Sequence, residues 1–84
     1  MEGLKREVRQ FLSTTLHRDV NGVGDADSLL EAGIIDSMAV LELVAHIEKQ
    51  YGVSVGDDDM IPENFDTIEA IGAFIASRRD ANRL

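Results

Sequence analysis

Apolar residues follow a helical period in two long stretches of the chain. The first stretch separates its apolar positions with charged and polar residues, at Leu4, Val8, Phe11, Leu12 and Leu16. This spacing places them on one stripe and predicts an amphipathic helix over about 2–17. The second stretch follows Asp36 and stops before Gly52. It predicts a helix over about 37–51, with Asp36 as the N-cap and Gly52 as the left-handed residue that ends the helix.

Two further helices are predicted in the C-terminal part of the chain. Pro62 can occupy the first position of a short helix over about 62–66, because a helix start does not need the N–H that proline lacks. Asp66 and Glu69 have the spacing of a capping box. The box predicts a last helix over about 67–78, in which apolar residues again recur at helical spacing.

The segment between the first two helices, residues 18–36, contains three glycines and no sustained period. A structureless loop of this length is uncommon in a compact domain unless it is tethered or functional. Ser28 and Glu31 can form a capping box on one turn, which Gly33 would close. That turn would pin the loop to the core through its apolar residues, Leu29, Leu30, Ile34 and Ile35.

Together these signals predict an all-α fold in one domain, residues 1–84. We expect three main helices, a short helix before the last, the long loop, and a frayed tail over 79–84. No strand pattern competes, because the alternating stretch at 53–55 is too short. The chain has no cysteine, so neither a disulfide nor a zinc–thiolate site can stabilise it. Helix packing must therefore supply the stability of this small domain.

The net charge of −8 is concentrated in the middle of the chain. Residues 19–69 carry 13 acidic side chains against Lys49 alone, whereas both flanking segments are weakly basic. An acidic surface repels nucleic acid and anionic lipid, because both are bound through Lys and Arg. We therefore expect basic partner proteins, no nucleic acid and no membrane insertion; a surface that only aids solubility is the alternative. The charged N-terminus and the lack of a long apolar run predict a cytoplasmic protein, and we expect a monomer.

The predicted second helix has apolar residues on two sides. One side forms a wide stripe that suits burial against the other helices, with Val40, Leu43, Val44, Ile47 and Tyr51. The other side carries Met38, Leu41 and Ala45, flanked by Glu42 and Glu48. A helical core of this size does not need the second side, so we predict a small exposed docking patch with an acidic border. In the alternative, the long loop covers these side chains and they belong to the core.

Ser37 directly follows the predicted N-cap and is the candidate for chemistry. A serine nucleophile needs a base within hydrogen-bond reach, and only His17 and His46 are available. His17 ends the first helix, and His46 lies more than about 10 Å along the second helix, so we expect no hydrolysis by this chain. Modification of Ser37 fits better, because unpaired amides at a helix N-terminus stabilise a phosphodiester. The alternative is that Asp36 and Ser37 only start a helix.

Two runs of the sequence resemble the acyl carrier and peptidyl carrier protein family over nearly the whole chain: DSLLEAGIIDSMAVLELVAHIEKQYGVSV and IPENFDTIEAIGAFI. The most specific part is Asp36-Ser37-Met38, which is similar to the family's Asp-Ser-Leu signature. The resemblance implies a small acyl-carrier-like four-helix bundle without catalytic activity of its own. It also implies that Ser37 receives 4′-phosphopantetheine from coenzyme A and that acyl groups are then carried as thioesters.

The resemblance implies three kinds of partner enzyme. They are a phosphopantetheinyl transferase, a loading enzyme that is either an adenylating ligase or an acyltransferase, and downstream synthase enzymes. We expect their basic docking surfaces to recognise residues around the start and the second face of the second helix: Asp36, Met38, Leu41, Glu42, Ala45 and Glu48.

The residues before the serine distinguish subtypes of this family. Carriers of fatty acid synthesis usually have Gly-Ala-Asp-Ser or Gly-Gly-Asp-Ser, whereas this chain has Ile34-Ile35-Asp36-Ser37. The run AGIIDS is more similar to D-alanyl carrier proteins, stand-alone peptidyl carriers and carriers of specialised polyketide clusters. The resemblance therefore implies acyl or aminoacyl cargo in a specialised biosynthetic pathway, with D-alanyl transfer to the cell envelope as an alternative.

Two other interpretations can be drawn from the residues. A calcium-binding loop would use positions 1, 3, 6, 7 and 9, which hold Asp19, Asn21, Gly24, Asp25 and Asp27. Val23 at position 5 and Leu30 at position 12 supply no side-chain ligand, so we expect no metal site.

An unmodified acidic adaptor that docks through its second helix is the other interpretation. It predicts that the Ser37→Ala protein keeps its function.

Overall fold

Residues 2–82 are described by the computed structural model, together with the side chains of residues 3–79. In this part of the chain every regular element is helical, which confirms the all-α fold. The elements are α1 Glu2–Gln10, a π turn Phe11–Thr15, α2 Ser37–Tyr51, a 3-10 turn Asp57–Asp59, α3 Pro62–Phe65 and α4 Ile68–Asn82. Met1, Arg83 and Leu84 of the predicted domain and tail lie outside the described residues.

One core lies between the helices and the inner side of the long loop. Side chains from the π turn, the loop, α2 and α4 are fully buried there: Leu12, Leu29, Leu43, Ile47, Ile68, Ile71 and Ile75. Burial of one such side chain stabilises the fold by about 1.5–3 kcal/mol. Two members of the predicted core stripe, Val40 and Tyr51, are only half-buried, and Ala39 is buried. Val40 differs because it borders an open groove at the start of α2.

The first helical segment ends two residues before its predicted end at 17, and its last turn is wider than an α-helical turn. Leu16 N donates to Phe11 O at 3.2 Å, so this hydrogen bond joins residues five apart, whereas those of an α-helix join residues four apart. Thr14 Oγ1 donates to the carbonyl of Gln10 at 2.6 Å. Side-chain bonds of this kind compete with the backbone pattern of a helix. His17 then adopts a positive φ of 55°, which ends the segment.

The second helix covers its predicted range, and both of its predicted caps are formed. Asp36 has an extended backbone, and its Oδ1 accepts a hydrogen bond from Ala39 N at 2.9 Å. At the other end Gly52 adopts a φ of 66°, which glycine tolerates without steric cost. The N–H of Gly52 donates to Glu48 O at 3.0 Å. These caps fix Ser37 as the first residue of α2.

The long loop is tethered through the predicted turn. Glu31 N donates to Ser28 Oγ at 3.1 Å, and Gly33 closes the turn with a φ of 74°. Ser28 Oγ also donates to the carboxylate of Asp66 at 2.8 Å, and Leu30 N donates to the same carboxylate at 3.0 Å. Hydrogen bonds to a charged group are worth about 1.5–3 kcal/mol each. Asp66 therefore anchors this part of the loop to the end of α3.

The predicted role of Asp66 as the cap of the last helix is wrong, because Thr67 caps α4. Ala70 N donates to Thr67 Oγ1 at 2.9 Å. Asp66 has helical φ and ψ as the residue that ends α3, and its N–H donates to Pro62 O at 2.9 Å. An N-cap needs an extended backbone, which Asp66 does not have.

A second tether, which the sequence did not predict, joins the loop to α1. Arg9 Nη2 donates to Val23 O and to Asp25 Oδ1, both at 2.7 Å. Lys5 Nζ lies 3.3 Å from Asp25 Oδ2. The hydrogen bond from Arg9 lowers the pKa of Asp25 and so favours its charged form. Asp25 is thus engaged by cations of its own chain, and among the described residues no group of three acidic or histidine side chains is placed to hold a metal ion.

The last helix is longer than predicted, because it continues beyond 78 and includes residues 79–82 of the predicted frayed tail. Two arginines at this end contact other elements. Arg78 forms an ion pair with Asp59, and the Arg79 guanidinium lies 5.9 Å from the centroid of the Tyr51 ring. Such contacts hold the helix end where sequence alone indicated fraying. The short helix α3 ends one residue before its predicted end, at Phe65.

Candidate functional site

Ser37 is the first residue of α2 and is exposed to solvent. Among the described residues its hydroxyl has no hydrogen-bond partner, so the oxygen is open to an incoming group. The first amides of a helix lack partners within the helix, and the positive end of the helix dipole lies at the same place. A phosphodiester on Ser37 Oγ would therefore meet N–H donors and a favourable field. The residues present fit a covalently attached phosphate group.

Neither histidine is arranged as a base for Ser37. His46 is half-buried and stacks on the ring of Phe11, with 4.0 Å between the ring centroids. The helix rises about 13 Å between Ser37 and His46. His17 is exposed at the turn that follows the first helical segment. The site therefore presents an oxygen that can accept a transferred group, without the adjacent base that a serine hydrolase needs.

Asp36 combines a structural contact with an exposed carboxylate oxygen. Its Oδ1 accepts the capping hydrogen bond from Ala39 N, whereas its Oδ2 lies 4.0 Å from Nη2 of Arg18. The side chain is 66% exposed. Asp36 can therefore hold the start of α2 and still be contacted by another protein. The sequence did not single out Arg18 as a neighbour of this site.

The second apolar face of α2 is exposed, as predicted. This docking patch consists of Met38, Leu41 and Ala45; Met38 is 66% exposed and Leu41 is 53% exposed. Glu42 on its flank is exposed as well. The alternative in which the long loop covers these side chains is wrong. A flexible methionine beside a leucine suits contact with more than one partner surface.

Glu48, on the other flank of the docking patch, has an intramolecular contact that the sequence did not predict. Its Oε2 accepts a hydrogen bond from Val55 N at 3.0 Å. The carboxylate is exposed, yet it also holds the segment that follows α2. A change at Glu48 would therefore alter this segment as well as the charge of the surface.

An apolar groove of about 350 Å³ lies beside Ser37. Its lining includes Leu30 from the long loop, Leu41 from α2, and Ile61 from the segment before α3. Leu30 is 45% exposed and Ile61 is 41% exposed, so the prediction that Leu30 pins the loop to the core is wrong. Among the described residues, the exposed large hydrophobic side chains are these three and Met38. All of them lie on the groove or on the docking patch around Ser37.

A second cavity, of about 230 Å³, is lined in part by Glu7, His46 and Tyr51. The Tyr51 hydroxyl donates a hydrogen bond to Glu7. Burial, followed by this hydrogen bond, raises the pKa of Tyr51 to about 12. Burial also lowers the pKa of His46, while the charge of Glu7 opposes that change. Both rings are therefore favoured in their neutral forms.

Comparison with known proteins identifies the family of this chain. The family model described as "Phosphopantetheine attachment site" matches residues 6–75, which is most of the chain. The chain belongs to the phosphopantetheine attachment site family. It is therefore a carrier protein that holds acyl or aminoacyl groups as thioesters on a 4′-phosphopantetheine group and presents them to partner enzymes.

Similar proteins include small carriers that match this carrier over nearly their whole length. The D-alanyl carrier protein of Streptococcus mutans is 28% identical over 78 residues, which cover 93% of this chain and 98% of that protein. The D-alanyl carrier protein of Streptococcus sanguinis is 27% identical with the same coverage. A solved chain, described as a crystal structure of an FAD-dependent dehydrogenase, has a TM-score of 0.68 and 32% identity. That match covers 81% of this chain and 97% of the other.

Within the described residues, no helix of the carrier has both the length and the apolar content needed to cross a membrane. The carrier family also implies partner enzymes, because attachment of the group, loading of the cargo and its later use are separate reactions.

Proposed function

We propose that Ser37 carries the 4′-phosphopantetheine group and that residues 1–84 act as one carrier domain. The observation that supports this most directly is the exposed Ser37 hydroxyl, which lacks a hydrogen-bond partner in the described part of the chain and stands at the N-terminus of α2. Ser37 Oγ attacks the pantetheine-side phosphorus of the coenzyme A pyrophosphate, forming a new P–O bond, while a base of the transferase takes the serine proton. The pyrophosphate bond breaks, and adenosine 3′,5′-bisphosphate leaves.

The attached group supplies a thiol, and this chain has no cysteine to offer one. The chain itself contributes attachment and presentation. Asp36 holds the start of α2, and the amides of the first turn stabilise the phosphodiester. Catalysis belongs to the partner enzymes, since neither histidine of the chain is arranged as a base for Ser37.

The partner enzymes recognise the docking patch and its charged border. Met38, Leu41 and Ala45 supply apolar contact, and Asp36 and Glu42 attract basic docking surfaces. Glu48 contributes charge to the same surface. The partners are a phosphopantetheinyl transferase, an adenylating ligase or acyltransferase that loads the cargo, and downstream enzymes. The carrier acts as a monomer in the cytoplasm, without nucleic acid and without insertion into a membrane.

An aminoacyl cargo is the first class to assay, because the similar carriers of the two streptococci are named for D-alanine. A specialised pathway and D-alanyl transfer to the cell envelope are the two candidate settings. A similar solved chain is described with an FAD-dependent dehydrogenase, so a flavin-dependent dehydrogenase is one class of downstream enzyme to assay. The unmodified adaptor is the competing function, and loading of Ser37 separates it from the carrier.

Intact-mass analysis tests the attachment. The wild-type protein is incubated with coenzyme A and a promiscuous phosphopantetheinyl transferase, and we expect one phosphopantetheine increment. Ser37→Ala should show none, whereas Ser54→Ala should be modified like the wild type, because Ser54 is also exposed but lies outside a helix start. A wild-type protein that remains unmodified under conditions that load a known carrier would exclude the proposal.

Transferase kinetics test the docking patch. Leu41→Ala removes an exposed apolar contact, and we expect kcat/KM of the transferase for the carrier to fall about tenfold, as for truncation at an interface hot spot. Gln50→Ala, at an exposed position near the other end of α2, should leave kcat/KM unchanged. Equal kinetics for both variants and the wild type would place recognition elsewhere on the molecule.

A further inference from the structure

We propose that Arg18 binds the phosphodiester of the attached group and is the side chain of this carrier that positions the first atoms of its arm. The proposal rests on the proposed attachment at Ser37. It concerns what the chain's own residues do once the group is in place.

The backbone of Arg18 is held close to the start of α2. His17 adopts a left-handed conformation, and the N–H of Arg18 donates to Leu12 O at 2.8 Å. Leu12 is fully buried, so this bond ties Arg18 to the core. The side chain then extends to the N-terminus of α2, where its Nη2 lies 4.0 Å from Asp36 Oδ2. Arg18 is thus fixed at its base and reaches the residue that precedes Ser37.

Within the part of the chain that the structure describes, the Arg18 guanidinium donates no hydrogen bond to a protein acceptor. The distance of 4.0 Å to Asp36 is an ion-pair distance and too long for a hydrogen bond. Arg18 Nε is shielded from solvent and has no hydrogen-bond partner among the described residues. The side chain is 40% exposed, so its outer nitrogens can meet an external group. An arginine fork of this kind matches two oxygens of a phosphate.

The charge around Ser37 favours the same contact. A phosphodiester adds a negative charge beside the carboxylate of Asp36, and like charges repel at this distance. Four other cations of the described residues are engaged elsewhere: Arg9 and Lys5 with Asp25, Arg78 with Asp59, and Arg79 with the ring of Tyr51. Lys49 lies on α2 about 18 Å beyond Ser37 by helical rise. Arg18 can therefore turn from its long ion pair with Asp36 towards the phosphodiester, while Asp36 Oδ1 keeps its capping bond.

A comparison of unloaded and loaded protein tests the proposal without any partner reaction. Wild type, Arg18→Ala and Arg18→Lys are each prepared in both forms, with loading at Ser37 verified by mass, and unfolded in urea. We expect Arg18→Ala to lower the folding equilibrium constant of the loaded form about two- to fivefold more than that of the unloaded form, as for an exposed ion pair. Arg18→Lys should recover part of this difference, because it keeps the charge but not the fork.

The control is Arg6→Ala, which removes an exposed arginine of α1. It should change both forms equally. An equal effect of Arg18→Ala on the loaded and unloaded forms would overturn the proposal while leaving attachment at Ser37 intact. A mass increment that persists in Ser37→Ala would overturn the attachment site and this proposal together.

A second measurement needs only the wild-type protein, so it holds even where a variant folds poorly. The side-chain Nη–Hη resonance of Arg18 is recorded by NMR in the unloaded and loaded forms, together with the phosphorus resonance of the loaded form. We expect the Arg18 resonance to shift and its exchange with solvent to slow on loading. An Arg18 resonance that is identical in both forms would also overturn the proposal.

Discussion

The two apolar faces of α2 carry similar side chains and have opposite surroundings. Leu43 is 1% exposed and Ile47 is fully buried, because both belong to the hydrophobic core. On the other face Leu41 is 53% exposed and Met38 is 66% exposed. Leu41 and Leu43 are thus only two residues apart, yet the first is exposed to solvent and the second is buried. The difference indicates that one face of this helix supplies stability and the other is available for recognition.

The separation of these two faces explains how a small carrier can expose an apolar surface to partners and remain folded. The exposed face is narrow, is bordered by Glu42 and Glu48, and lies beside Ser37 rather than at a random place. Small apolar patches of this kind are typical of sites that other proteins contact. The core does not depend on them, so partners can bind and leave without disturbing the fold.

The sharpest test of the comparison is the same substitution on both faces. Leu43→Ala deletes a buried side chain, and we expect the free energy of unfolding to fall by about 2–5 kcal/mol, from lost burial and the cavity that remains. Leu41→Ala deletes an exposed one, and we expect a change within about 0.5 kcal/mol. Urea unfolding of both variants, monitored by circular dichroism, measures the difference.

Helix propensity is matched in this pair, since both variants replace leucine by alanine in the same helix. Any difference between them therefore reports burial. Comparable losses for Leu41→Ala and Leu43→Ala would show that the docking patch contributes to the core, contrary to the comparison.

A smaller effect is expected where the two faces meet the helix start. Asp36→Ala removes the cap that Ala39 N requires, and we expect a loss of about 1 kcal/mol in unfolding free energy. Asp36→Asn keeps a capping oxygen and removes the charge, so it should restore most of the stability. If recognition uses the charge, Asp36→Asn should still slow the transferase. If the stability of the carrier and the kcat/KM of the transferase changed together in both variants, the Asp36 charge would have no role in recognition apart from its role as the cap.

Local signals predicted α2 well, because the residues that define it are neighbours in the chain. Asp36 and Gly52 each act within a few residues, and the exposure of Met38 and Leu41 follows from one helical projection and the small size of the domain. The candidate serine could also be predicted from the sequence, since a short motif at a helix start identifies it. Its attachment of the group remains a proposal.

Contacts between distant segments account for what the sequence could not predict. The side chain of Asp66 accepts a hydrogen bond from Ser28, which lies 38 residues away in the chain. The local spacing of Asp66 and Glu69 therefore predicts the wrong role for Asp66. The groove takes Leu30 and Ile61 from separate loops, and no single helical projection places them beside Ser37. Thr14 illustrates a local failure, because its hydroxyl competes with the backbone for Gln10 O. No pattern of apolar positions reveals that competition.

The smallest effect expected concerns His46, which lies at the boundary of the two faces. Burial against Phe11 lowers its pKa below 6.5, although the charge of Glu7 opposes this. The unfolded chain therefore takes up a proton at higher pH than the folded protein, and the free energy of unfolding falls as pH drops through 6.5 towards the lower folded value. Urea unfolding between about pH 7.5 and 5.5 should show a steeper loss for wild type than for His46→Gln, in which this titration is absent. If the free energy of unfolding fell equally with pH in both proteins, the folded structure would not lower the pKa of His46. His46 would then belong to the solvated side of α2 and not to the edge of the core.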